Sequence, residues 1–183
     1  MRQIKQRREE KEMNLLLSDF SIPTELPKQR ENRYIDLSQK KIKSCMGCFG
    51  CWVKTPGRCV IRDDAVEIYP LIAKSRKLLY VSRLYCGSYD EPMKHMLERA
   101  IPIQQAFLRL HDNETHHVQR DVEEKKAVIL AYGADSREEQ EIFGKLVKRN
   151  AKNMLFTEWR IDFIREEEIH ERIGQEVRAW ENY

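Results

Sequence analysis

Three short apolar runs, each closed by charge or by a turn residue, most narrow what this chain can become. They are Met13–Ser18 (MNLLLS), Lys77–Ser82 (KLLYVS) and Ala127–Tyr132 (AVILAY). A run of this length is too short for a buried helix and lacks the alternation of a one-sided strand. It describes strands covered on both faces, as in a parallel sheet. Asn32–Leu37 (NRYIDL) and Thr157–Ile164 (TEWRIDFI) alternate and supply two further strands. Only about a dozen residues separate the first two strands, near the lower limit for a parallel crossover, and Pro23 and Pro27 oppose a helix there.

Helical periodicity fills the remaining gaps. Asp63 or Asp64 caps a helix through Ala65, Val66, Ile68, Leu71 and Ile72, and Asp90 with Pro92 opens one carrying Met93, Met96, Leu97 and Ala100. Ser136 with Glu139 forms a capping box ahead of Ile142, Phe143, Leu146 and Val147. Ile169, Ile173, Val177 and Trp180 mark a last helix within Glu166–Trp180. Strands alternating with helices predict an α/β domain over residues 13–183, preceded by a charged extension at 1–12.

The net charge is +3, although 34% of residues are charged, so the balance excludes a strongly electrostatic nucleic-acid binder. No apolar run approaches the ~20 residues that span a bilayer, and the first dozen residues lack the apolar centre of a signal peptide. A cytoplasmic, reducing setting follows as the expectation. The five cysteines are then read as thiols or as metal or cluster ligands rather than as disulfides.

Four of those cysteines fall in one passage, CMGCFGCWVKTPGRC, with two, two and seven residues between them. Gly47 and Gly50 let the backbone turn tightly, and Phe49 and Trp52 give the loop something apolar to bury. Three readings stand side by side. Cys45, Cys48, Cys51 and Cys59 satisfy the compact spacing of a [4Fe–4S] site, they provide the four sulfurs of a structural zinc, or they are unliganded thiols in a packed loop. Cys86 stands apart, in the loop RLYCGSYDEP. Residues 103–125, which contain His116 and His117, read as a long polar excursion, and long excursions are often functional. Ligands of parallel α/β sheets bind beyond the carboxyl ends of the strands, and all three segments are expected at that rim.

The passage CMGCFGCWVKTPGRCVIRDDA, the strand KLLYVS with its loop RLYCGSYDEPMKHMLERAIP, and NETHHVQR before AVILAYG together resemble the flavodoxin-like NAD(P)H-dependent FMN reductases. The resemblance runs from about Ile42 to Phe163 and is related to that of the iron–sulfur flavoproteins. It implies a three-layer fold with a five-stranded parallel sheet in the order 2-1-3-4-5, helices on both faces, and FMN at the carboxyl edge. It also implies a homo-oligomer, with NAD(P)H and a small electron acceptor as partners.

Carried onto this chain, Ser82, Arg83, Leu84, Tyr85, Cys86, Gly87 and Ser88 line the flavin, with Ser18 and Ser21 at the phosphate and His117 facing the pocket or a subunit contact. Two departures stand out. Arg83 occupies a position where proline is usual, and the first turn offers Ser18, Ser21 and Thr24 without the expected glycine or long helix. The expected activity is electron transfer from NAD(P)H through flavin to a quinone, flavin or nitro compound, and no catalytic side chain is assigned. The alternatives are an electron carrier with a four-cysteine cluster, and a non-catalytic descendant of the fold that has lost FMN.

Overall fold

The computed structural model describes residues 12–23, 25–27 and 31–181; the charged extension, Glu12 apart, lies outside them, as does Thr24. In chain order the elements are β1 (Met13–Ser18), β2 (Glu31–Asp36), a single turn α1 (Gly50–Val53), α2 (Ala65–Lys74), β3 (Lys77–Tyr85), β4 (Ser88–Tyr89) and α3 (Glu91–Glu98). There follow β5 (Gln104–His111), β6 (Glu114–Gln119), β7 (Lys125–Tyr132), α4 (Arg137–Asn153), β8 (Phe156–Ile164) and α5 (Ile169–Arg178).

The five long strands lie in the order β2-β1-β3-β7-β8, every neighbouring pair parallel. Counted without the two hairpins this is the 2-1-3-4-5 arrangement. The chain winds one way from β1 to β2 and the other way from β1 to β3, so the order reverses between β1 and β3.

The alternation of side chains along the strands sorts the core into two layers. Leu15, Leu17, Leu78, Tyr80 and Ile129 point to one face, where Ile68, Ile72, Met93, Met96, Phe143 and Val147 from α2, α3 and α4 close over them. Leu16, Leu79, Val81 and Leu130 point to the other, against Ile169, Ile173, Val177 and Trp180 around α5. Among the described residues that second face carries one helix. The crossover from β1 to β2 has none among its described residues, and Phe20, Ile22 and Leu26 pack against the sheet from irregular chain instead.

Local chemistry explains the helix starts. Ser136 caps α4 by accepting from the Glu139 amide at 3.2 Å, while the Glu139 carboxylate reaches back to the Asp135 amide at 2.8 Å. At α2 it is Asp63 that receives the Ala65 amide, at 3.2 Å, although Asp64 is the residue at the cap position.

Two segments read from sequence as loops are strands. β3 continues past Ser82 to Tyr85 because Leu84 and Tyr89 are buried, the latter edge-on against Phe143 at 4.8 Å. The polar excursion is a two-stranded ribbon, β5–β6. Its polar inner side packs on the end of α4 through His116 Nδ1 to Asn153 Oδ1 at 2.9 Å and Lys152 to Glu114 at 3.0 Å. Apolar periodicity has no purchase on a ribbon that is buried by its polar side.

Candidate functional site

β1 and β3 lie side by side at the point where strand order reverses, and the turn after β1 carries Asp19. Its amide donates to Val81 O at 3.1 Å, which ties the turn to β3. Its Oδ2 accepts from Ser82 Oγ at 2.5 Å and from the Arg83 amide at 3.2 Å. Its Oδ1 is shut away from solvent without a hydrogen-bond partner. Burial therefore pushes the Asp19 carboxyl up to about 7 from an ordinary 3.8, against the pull of Ser82 and the Arg83 amide, with Asp90 adding to the rise. Ser18 is fully buried and gives its hydroxyl to the Phe20 carbonyl, and Tyr34 receives the Ile22 amide at 2.8 Å. Ser21 is exposed.

Beyond Ser82 the strand forms a tight hairpin, Tyr85 pairing with Ser88 and Leu84 with Tyr89. Its two turn residues, Cys86 and Gly87, have φ of +49° and +69°, the left-handed pair that a two-residue hairpin needs. A Cβ on Gly87 would stand 2.9 Å from Ile142 of α4, so the glycine serves both the turn and the close approach. Tyr85 at the tip is 66% exposed and Cys86 is exposed. The stem of Arg83 lies over Gly133, at the carboxyl end of β7. Gly133 in turn lines an open cavity of about 420 Å³ with Ala131, Gln140, Phe163 and Arg165. That volume is within the range of small-molecule sites.

The cysteine loop makes a second centre. Cys45, Cys48, Cys51 and Cys59 line one apolar cavity of about 60 Å³ with Phe49, Trp52, Ile61 and Ile101. Convergence forces the backbone: Gly47 has φ +63° and Phe49, a residue with a Cβ, has φ +54°. Burial, followed by the charges of Cys59, Cys45 and Cys48, raises the Cys51 thiol above its usual value. Beneath the loop the Arg99 side chain, 0% exposed, grips Asp63 with both nitrogens at 2.7 and 2.9 Å. It also donates to the carbonyls of Lys43 and Ile61 at 2.8 and 3.2 Å. Asp63 is held below its usual carboxyl value against the desolvating effect of burial, chiefly by Arg99 and by the Lys43 amide.

His117 belongs to this second centre. Its ring stacks on Trp52 at 4.7 Å between centroids, its Nδ1 lies 2.8 Å from Gln105 O, and Trp52 Nε1 donates to Gln104 O at 3.0 Å. A Cβ on Gly57 would collide with Arg120 at 2.8 Å, a third point where the ribbon meets the loop.

The structure thus brings Ser18, Ser82 and Arg83 together at the switch point, with Leu84 to Ser88 in the adjoining hairpin, and takes His117 elsewhere. The two centres lie at opposite ends of α3. Asp90, its cap, bonds to Arg83 O at 2.9 Å, whereas Arg99 and Ile101 beyond its last turn hold the cysteine loop. Eight helical residues rise about 12 Å, so the rim and the thiols are distinct sites rather than one. Among the described residues no three His, Cys, Asp or Glu side chains are disposed to hold a metal ion.

Sequence reasoning passed over Asp19 and Arg99. An acidic residue immediately after MNLLLS, at the carboxyl end of an apolar strand, was the available signal for the first. Arg99 sits at the end of an apolar helix face, a position where a charge is buried only with a partner.

The described features define a doubly wound α/β protein of the flavodoxin-like class. Comparison with known proteins agrees in both fold and sequence. No protein-family model matches the chain. It is 30% identical over 77 residues to an iron–sulfur flavoprotein of Methanocaldococcus jannaschii, covering 42% of this chain and 39% of that one. It is 35% identical over 68 residues to an iron–sulfur flavoprotein of Archaeoglobus fulgidus, covering 37% and 30%. The matched stretches are thus less than half of either partner.

Among solved structures, an FMN-dependent NADH-azoreductase from Bacillus anthracis, in complex with FMN, superimposes with a TM-score of 0.57 at 10% identity, covering 91% of this chain and 95% of that one. An NAD(P)H:quinone oxidoreductase from Methanothermobacter marburgensis gives 0.53 at 12% identity, covering 92% and 96%. The fold is that of the flavodoxin-like reductases, and the sequence is similar to iron–sulfur flavoproteins. No helix among the described residues is long and apolar enough to cross a membrane.

Proposed function

We propose that this chain is an oxidoreductase that passes electrons from NAD(P)H through a flavin to a small acceptor such as a quinone, a flavin or a nitro compound. The observation that carries the reading is the open cavity of about 420 Å³ at the carboxyl edge, bounded by Gly133 and Phe163 and flanked by Arg83. Its Ala131, Phe163 and Ile164 offer an apolar strip for a flat ring, and Gln140, Arg165, Glu166 and Glu168 supply polar groups for the ring's polar edge. The fold shared with FMN-dependent reductases supports the same reading.

A bound flavin would supply the hydride and electron chemistry itself. Arg83 and the hairpin Leu84, Tyr85, Cys86, Gly87 and Ser88 would position its ring, with Tyr85 exposed at the hairpin tip. The first turn does not fit a phosphate: its buried donor Ser18 is committed to Phe20 O, and its free atom is the acceptor Oδ1 of Asp19.

A second reading has its own observation, the meeting of four cysteine sulfurs on one cavity. The donor set fits an iron–sulfur cluster better than a single zinc. A cluster spreads its four thiolates over several irons, and the partial likeness to iron–sulfur flavoproteins supports that choice. Cys45, Cys48, Cys51 and Cys59 would hold it, its iron balancing the thiolate charge, with Arg99 fixing the base of the loop. The apolar residues Phe107, Leu108 and Leu110 of β5, 60–76% exposed, favour a second copy of the chain as a further partner.

The test is the spectrum and composition of anaerobically purified protein, followed by flavin addition and an NAD(P)H oxidation assay. Bound flavin with acceptor-dependent oxidation is expected, and iron with labile sulfide if the second reading holds. A protein that binds no added flavin and leaves NAD(P)H untouched ends the oxidoreductase assignment.

A further inference from the structure

At the switch point between β1 and β3 the anion position is filled by the chain's own acid. The groups that face it are the kind that receive an anion: a fully buried hydroxyl (Ser82) and a strand-end amide (Arg83). Both are directed to Oδ2 of the Asp19 carboxylate. What Asp19 leaves free is Oδ1, buried and unpartnered, an atom that accepts hydrogen bonds. Ser18 offers no donor, because its hydroxyl is bonded to Phe20 O. Arg83 swings its side chain away over Gly133 rather than toward the turn. A phosphate brought here would meet a like charge and an acceptor facing an acceptor. A hydroxyl group would donate to Oδ1 and satisfy it.

We propose that Asp19 determines which flavin the carboxyl rim of the sheet takes, by filling the anion position at the switch point from within so that a phosphate monoester is refused and a neutral, hydroxyl-bearing flavin, riboflavin rather than FMN, is received. The flavin half of this statement rests on the reading given above, while the exclusion of phosphate rests on the cradle alone.

The experiment uses the full chain and its Asp19→Ser and Asp19→Asn variants at pH 8.5. Riboflavin and FMN are titrated by fluorescence quenching, and inorganic phosphate is followed separately by thermal shift. In the unaltered protein riboflavin is expected to bind about tenfold tighter than FMN, as repulsion between close like charges in a partly desolvated site requires. Asp19→Ser is expected to abolish that preference and to gain a phosphate-dependent rise in Tm that the parent lacks. Asp19→Asn keeps the side-chain shape, and so reports on charge even if the serine variant folds poorly. FMN binding as tight as riboflavin in the parent, or a preference unchanged in both variants, overturns the proposal. If no flavin binds any of the three proteins, the flavin reading falls and phosphate alone decides the cradle. A Tm rise confined to the variants then sustains exclusion by Asp19, and its absence overturns it.

Discussion

The Asp19→Asn substitution offers a direct measure of how the switch point is held. The folded carboxyl titrates at about 7 and the unfolded one near 3.8. Because the folded value is the higher, the native state holds its proton over a range in which the unfolded chain has lost it. Stability therefore falls as pH rises from about 4 to about 7. The penalty is absent below that window and complete above it. A shift of about 3 units at 1.36 kcal/mol each amounts to roughly 4 kcal/mol. Asparagine carries no charge and escapes the penalty. It keeps an acceptor for Ser82 and Arg83 but places an amide where Oδ1 lies unpartnered, which costs about 1–3 kcal/mol. Urea unfolding at pH 5 and pH 8.5 is expected to show the two proteins within roughly 1 kcal/mol of each other at the lower pH, where only about 1.6 kcal/mol of the penalty is present. At the higher the variant should be more stable by roughly 1–3 kcal/mol. Comparing the two proteins at each pH cancels every other titrating group. A difference that is flat with pH, or that grows toward acid, refutes the account of a buried, under-bonded carboxylate.

Other perturbations are as specific. Arg99→Ala leaves Asp63 buried and uncompensated and is expected to lower stability by about 3–5 kcal/mol in urea unfolding. It should also quicken alkylation of Cys59, which is buried in the parent. Gly87→Ala places a methyl at φ +69° and 2.9 Å from Ile142, so a loss of about 1–3 kcal/mol is expected in the same assay. Lys125 is 1% exposed, donates to the carbonyls of Ala73, Glu123 and Met154, and is lowered by burial to about 7 from 10.5. The folded value is the lower one, so the parent gains stability as pH rises from 7 toward 10.5. The deficit of Lys125→Met should accordingly be larger at pH 9.5 than at pH 7. His117→Ala removes the stacking partner of Trp52 and should raise Trp52 exposure to acrylamide quenching without altering flavin binding, since His117 lies away from the rim.

What the sequence by itself determined is the layered sheet. Leu15–Leu17, Leu78–Val81 and Ala127–Leu130 are apolar at consecutive positions, and only a strand covered on both faces satisfies that pattern. Ser136 with Glu139 and Asp90 before Pro92 marked their helices because capping is chemistry between near neighbours. The four cysteines announced one centre by spacing alone.

Tertiary structure decided the rest, where the partners lie far apart in the chain. Asp19 meets Ser82 across 63 positions and Arg99 meets Asp63 across 36, and no local pattern records either pairing. The ribbon β5–β6 escaped notice because its buried side is histidine and glutamate, bonded to α4, rather than an apolar stripe. The placement of thiols and rim at opposite ends of α3 was likewise invisible. A chain's order says which segments exist, but desolvation and hydrogen bonding between distant ones settle which of them share a site.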